Sequence, residues 1–148
     1  MMTTVPQNIK VGKYFTLAEM CASDTAKKKG INNEPTVEVA VNLCMLCRHI
    51  LDPLREALKC PITISSGYRS PALNKAVGGV SNSQHMKGQA VDINLKGNIE
   101  WGKTVFGWIK KYCEFDQLIW ERSGSTYWVH VSFALGHNRK QAFELSTP

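Results

Sequence analysis

The sequence predicts an α+β domain, a mainly antiparallel sheet with helices on one face and a polar site on the other. Residues 62–66, 90–94, 117–121 and 128–133 alternate apolar and polar side chains with the period of two that half-buries a strand. Ala40, Cys44, Cys47, Leu51, Leu54 and Leu58 recur at spacings of four and three, the signature of a helix with one buried stripe. If the strands lie side by side, Arg69, Asp92, Glu121 and His130 fall on the sheet face away from that helix.

The elements follow in order. Residues 1–15 form a short arm held to the body by Tyr14 and Phe15. Thr16 and Glu19 make a capping box, so a short helix starts at Leu17 and fades near Ser23. Gly30 suits a helix end or turn after Lys27-Lys28-Lys29. The long helix begins after Thr36, and Pro53 should kink it or start a second segment, because it lacks an amide donor and crowds the preceding turn. Cys60-Pro61 ends it, and residues 62–66 form a strand. Ser70 caps a brief helix with Pro71 at its first position, and Gly78-Gly79 breaks that helix. Residues 90–94 form a strand and 99–112 an amphipathic helix with Val105, Trp108 and Ile109 inward. Residues 117–121 and 128–133 form a hairpin, and Ala142–Leu145 an edge strand.

Composition bounds what such a domain does. At 148 residues, without repeats, low-complexity segments or a linker, the chain is a single domain over residues 1–148 with a substantial core. The formal charge of +6 and pI near 9.1 favour an anionic partner. The basic residues are dispersed and form only one run, which disfavours nucleic acid. Five cysteines, an odd number, read as reduced thiols rather than a disulfide framework. Cys44 and Cys47 have the spacing of half a zinc site, but they lie on the helix stripe and read as core. No stretch approaches the ~20 apolar residues of a membrane span, and the N-terminus carries no signal-peptide pattern. The expectation is a monomer made as a soluble cytoplasmic chain without membrane insertion.

The chemistry concentrates in Ser81–Asn94, SNSQHMKGQAVDIN. His85 and Asp92 are seven residues apart, broken by Lys87-Gly88 and followed by strand. Zinc accepts imidazole nitrogen and carboxylate oxygen together, and a catalytic zinc wants three protein ligands and an open position. His130, sharing a strand face with Trp128 and Ser132, is the best third candidate. Taken singly, His130 reads most simply as a structural histidine, Asp92 as a strand-end carboxylate and Arg69 as a surface ion-pair partner. His49 and His137 have no partner at ligand spacing and read as structural or solvent-facing.

Ser83-Gln84-His85-Met86-Lys87-Gly88-Gln89-Ala90-Val91-Asp92 resembles the SxHxxGxAxD signature of the zinc D-Ala-D-Ala peptidases, a group that includes phage endolysins and the hedgehog N-terminal domain. Ser66-Gly67-Tyr68-Arg69-Ser70-Pro71 upstream and Trp128-Val129-His130-Val131-Ser132 downstream extend the resemblance over residues 62–133, in the order the group shows. It implies the hedgehog/D-Ala-D-Ala peptidase fold, zinc held by His85, Asp92 and His130, Arg69 on the substrate carbonyl or terminal carboxylate, and Ser83 on the substrate backbone. Trp128 would wall the substrate or simply pack.

One departure concerns the general base. Many members carry an acid three residues before the last histidine, and that position is Tyr127 here. Others carry a glutamate six residues before it, on the first hairpin strand. Glu121 ends the corresponding strand nine residues before His130. If residues 122–127 form a wide loop, Glu121 faces Trp128 and His130 lies one diagonal away, roughly 7 Å between backbones. A tight turn at Ser123-Gly124 would instead bring Gln117 opposite His130. The wide loop is the expectation, with Asp116 as reserve base.

The function so implied is a zinc peptidase acting on peptidoglycan stem peptides, either a D-Ala-D-Ala carboxypeptidase or an L-Ala-D-Glu endolysin. Small size, basic charge and the missing export signal lean toward a phage or prophage lysin that reaches the cell wall after release. The rival from another class is a non-catalytic zinc module that binds wall fragments or a protein partner, with Tyr127 as its support.

Overall fold

The structure, a computed structural model, describes residues 5–148; the first four residues of the expected arm lie outside the described residues. The rest of the arm is pinned by Val11 and Phe15, 5% and 1% exposed, whereas Tyr14 stays on the surface and bonds Glu56. The expected role of Tyr14 therefore belongs to Val11.

The capping box forms as expected. The Glu19 amide donates to Thr16 Oγ and the Thr16 amide to Glu19 Oε1, starting α1 at Leu17–Cys21. Ser23 caps α2, Asp24–Lys29, so the lysine run occupies a last helical turn where cations complement the helix dipole. Gly30 ends it at φ 63°.

The long apolar stripe becomes α3, Val37–Leu46, a π turn over Cys47–Leu51, and α4, Asp52–Leu58. Proline cannot donate to the carbonyl four residues back. The wider turn before it absorbs that loss, with the Asp52 amide donating to the Cys47 carbonyl five residues back. The short helix α5 spans Pro71–Ala76 and the amphipathic helix α6 Ile99–Tyr112. Val105 and Ile109 of α6 are fully buried, while Trp108 is only half-buried.

The strands are β1, Thr63–Ser66; β2, Ala90–Asn94; β3, Gln117–Ser123; β4, Thr126–Ser132; and β5, Gln141–Thr147. They form one sheet in the order β1-β2-β4-β3-β5. The sheet is mixed rather than mainly antiparallel, because β5 runs parallel to β3. The reason is local. β4 ends beside the start of β3, and residues 133–140 cross that end directly, tied by the Lys140 amide to the Phe115 carbonyl and the Gln141 amide to the Asp116 carbonyl. A chain that crosses there must run the same way as β3.

Val91, Ile93, Leu118, Val129 and Val131 project from one face into a core with Leu43, Leu46, Ile50, Leu51 and Leu54 of the long helical segment and Val105 and Ile109 of α6. Each such side chain contributes roughly 1.5–3 kcal/mol by leaving water. The alternation that buries these residues turns Asp92, Ile119, Glu121 and His130 to the other face. That face is not free of helix, as the sequence led one to expect: α5 and a 3-10 turn at Gln84–Lys87 flank the site. All five cysteines are free, and burial pushes the Cys21 thiol up to about 12. Cys21, Cys47 and Cys113 are buried and pack as small apolar groups, while Cys44 and Cys60 are half-buried.

Candidate metal centre and active site

His85 sits in the 3-10 turn that the sequence did not announce. Ser83 Oγ accepts the His85 amide at 3.2 Å, and Gly88 closes the turn at φ 72°, where a Cβ would meet the Val39 carbonyl oxygen at 2.7 Å. His85 Nδ1 lies 2.7 Å from the Gly67 carbonyl oxygen. A carbonyl only accepts, so the proton is on Nδ1 and the Nε2 lone pair faces the site. Gly67 is required because its backbone runs against Met20; any Cβ would fall on the Met20 carbonyl oxygen, which already accepts from the Tyr68 amide.

β2 and β4 pair so that Asp92 stands directly opposite His130. Asp92 Oδ1 is 3.0 Å from His130 Nδ1 and 3.4 Å from His85 Nε2, and one ligand atom from each of the three residues lies within 4.8 Å of the others. Zinc bonds of 2.0–2.2 Å in a tetrahedron hold ligand atoms about 3.3 Å apart, so the donor set fits such an ion. Burial opposes ionisation of Asp92, but charge and hydrogen bonds from His85 and His130, when the imidazoles are protonated, outweigh it and hold its carboxyl well below the usual carboxylate range. A buried carboxylate facing an imidazole lone pair calls for a cation between them.

Arg69 approaches from the other side. A register shift in β1 between Ile64 and Ser66 sets Ser66 opposite Asp92, the re-aiming that bulges provide beside sites. Arg69 Nε donates to Ser66 Oγ at 3.1 Å, Nη1 to Asn74 Oδ1 at 3.2 Å, and Nη2 lies 3.6 Å from Asp92 Oδ2. Its backbone amide bonds the His85 carbonyl, so the two motifs are stitched together. Asn74, 3% exposed and also bonded to the Val80 carbonyl, was not singled out from sequence; the only signal was its place one turn into a proline-started helix.

Glu121 pairs with Trp128 and Ile119 with His130, so Glu121 is one diagonal from His130 as expected. The expected wide loop is absent. Both strands continue to a two-residue turn at Gly124-Ser125, one residue later than the tight turn considered from sequence, and this gives the same register. Glu121 Oε1 lies 3.9 Å from His130 Nδ1. Burial raises its pKa and the nearby Asp92 charge adds to this, against the pull of His130, His85 and Arg69. Tyr127, an odd number of residues from His130, is on the opposite face and packs on Trp120 with ring centroids 5.7 Å apart.

The remaining candidates divide. Trp128 is half-buried on the site face, between Asn94 and Glu121, with a buried Nε1 that finds no acceptor among the described residues. Ser83 is 7% exposed and seats His85 rather than lining open surface. Asp116 does not serve as a reserve base: Arg139 Nε and Nη2 reach its two oxygens at 2.8 Å each, and Gln84 bonds Oδ2. That grip by Arg139 lowers its pKa to about 2. His49 stacks on Phe133 and His137 is exposed, both outside the site.

The assembly gathers three ligand atoms around one point, a carboxylate with a raised proton affinity beside them and a fixed guanidinium opposite. Comparison with known proteins agrees with it. A stretch of 33 residues is 54% identical to the zinc D-Ala-D-Ala carboxypeptidase of Streptomyces albus G, covering 22% of this chain and 13% of that protein. The match is thus local, and the chain spans a small part of that relative. The profile of the peptidase M15 family covers residues 13–132, from the arm to the end of β4. Since that range holds every residue that converges on the site, the chain belongs to the peptidase M15 family.

Proposed function

We propose that this chain is a zinc-dependent peptidase that hydrolyses the stem peptides of peptidoglycan, with His85, Asp92 and His130 as metal ligands. The observation that carries the reading is the convergence of His85 Nε2, Asp92 Oδ1 and His130 Nδ1, with Glu121 and Arg69 on either side. Zinc, when bound, makes water acidic enough to lose a proton near neutrality and draws electron density from a peptide carbonyl.

The chain's own groups do the rest. Glu121, with its raised proton affinity, takes the proton of the attacking water and returns it to the amine that leaves as the C–N bond breaks. Arg69, clamped by Ser66 and Asn74, presents a permanent charge to the carbonyl oxygen as it becomes negative, with little reorganisation. Trp128 walls the groove beside Glu121. The net charge of +6 suits an anionic wall polymer.

Digestion of purified stem peptides by the zinc-loaded protein, followed by mass spectrometry, tests the proposal. Chelator-sensitive cleavage is the expected result. A zinc-loaded protein that binds muropeptides tightly and cleaves none would leave the non-catalytic module in its place.

A further inference from the structure

A buried carboxylate outside the metal set ties the His85 turn to the sheet. Asp116, just before β3, is 2% exposed, and four donors fill its two oxygens. Oδ1 accepts from the Arg139 amide at 2.9 Å and from Arg139 Nε at 2.8 Å. Oδ2 accepts from Arg139 Nη2 at 2.8 Å and from Gln84 Nε2 at 2.9 Å. These bonds use the acceptor capacity of a carboxylate in full. Its backbone is engaged as well: the Asp116 amide donates to the Ser132 carbonyl at 2.8 Å, and the Asp116 carbonyl accepts from the Gln141 amide at 3.0 Å.

The crossover into β5 does not need Gln84. The Lys140 and Gln141 amides and the Arg139 fork already hold residues 133–140 in place. Gln84 instead opens the 3-10 turn Gln84–Lys87 and immediately precedes His85. The hydrogen bonds of a single 3-10 turn are poorly aligned, so its placement depends on side-chain anchors. Ser83 Oγ and the Gly67 carbonyl seat His85 itself. Gln84 ties the whole turn to the start of β3 and, through the bond of the Asp116 amide to Ser132, to the end of the strand that carries His130.

Resting on the metal-centre reading above, we propose that Gln84, Asp116 and Arg139 are positioning residues of that centre. Arg139 orients the Asp116 carboxylate, the carboxylate holds the Gln84 amide, and the held turn keeps His85 Nε2 at its 3.4 Å from Asp92 Oδ1. None of the three is itself a ligand. Arg139, with a side chain 54% exposed, thus governs a ligand whose own side chain is 4% exposed.

The test measures zinc affinity by competition with a chromophoric chelator, well below the thermal midpoint of each metal-free protein, so that the readout is the site and not the fold. Gln84→Met keeps the length of the side chain and removes its donor. It should weaken zinc binding about tenfold, as loss of an outer support of a metal ligand does, and alter the visible spectrum of the cobalt-substituted protein. Arg139→Ala should weaken zinc binding too, and combining it with Gln84→Met should cost little more than the larger single effect, because both act through Asp116. Unchanged zinc affinity and an unchanged cobalt spectrum in Gln84→Met overturn the proposal. Full additivity of the two substitutions overturns it as well, since Arg139 would then act by another route. A wild-type chain that binds no zinc removes the metal-centre reading itself, a result distinct from either.

Discussion

Replacing Glu121 with Gln removes a charge while keeping shape and one oxygen. Its Oε1 is 3.9 Å from His130 Nδ1, close enough to meet a water at the site, yet Glu121 is not one of the three residues whose ligand atoms all lie within 4.8 Å of one another. The substitution should therefore spare the metal and remove the proton acceptor. General-base catalysis contributes roughly 10²–10⁴ in rate, about 3–5 kcal/mol of barrier, so kcat should fall by that factor with KM nearly unchanged. Glu121→Asp withdraws the carboxylate by about one C–C bond, ~1.5 Å, and should give an intermediate loss. Steady-state kinetics on a stem peptide, with zinc content measured on the same samples, reads both quantities. A Glu121→Gln protein with near wild-type kcat, or one that has lost its zinc, would refute the assignment of Glu121 as base rather than ligand.

Three further outcomes follow from the supporting contacts. Asn74→Ala frees the Arg69 guanidinium and should lower kcat/KM about tenfold with zinc stoichiometry unchanged; equal kinetics would show that Arg69 needs no clamp. Gly67→Ala drives a Cβ into the Met20 carbonyl and disturbs the seat of His85, so it should cost more than about 3 kcal/mol of stability in urea unfolding, and a wild-type midpoint would contradict this. Asp116 has an ordinary value of 3.8 that Arg139 lowers to about 2, so its stabilisation is present above pH 3.8 and lost as pH falls through about 2. With the half-exposed Arg139 screened by water, Asp116→Asn should cost on the order of 1–2 kcal/mol at neutral pH. The gap between wild-type and variant urea midpoints should close between pH 4 and 2, and a constant gap would deny the charge its role.

The legible parts of this chain were those written in local pattern. The capping box at Thr16, the strand at 90–94 and the helix at 99–112 follow from short-range periodicity, and all three have the expected bounds or nearly so. The convergence of Asp92 and His130 was legible because residue type and strand phase placed them on one face, and the structure brings them side by side. Long-range geometry was harder to read. Whether β5 ran with or against β3 depended on where residues 133–140 cross, which Asp116 and Arg139 decide from 23 residues apart. The hairpin register came out as expected by way of a turn one residue from the one considered, since Gly124-Ser125 is as plausible a turn pair as Ser123-Gly124. Asn74 and the Gly67 carbonyl act by hydrogen bonds that no sequence spacing marks.

Metal stoichiometry is the most direct measurement of the central claim. Titration of metal-free protein with zinc, followed by elemental analysis, should give one ion per chain for wild type. His85→Ala, Asp92→Ala and His130→Ala should each lose it, with circular dichroism confirming the fold. A His130→Ala protein that holds one zinc as tightly as wild type would show that His85, Asp92 and His130 do not share an ion.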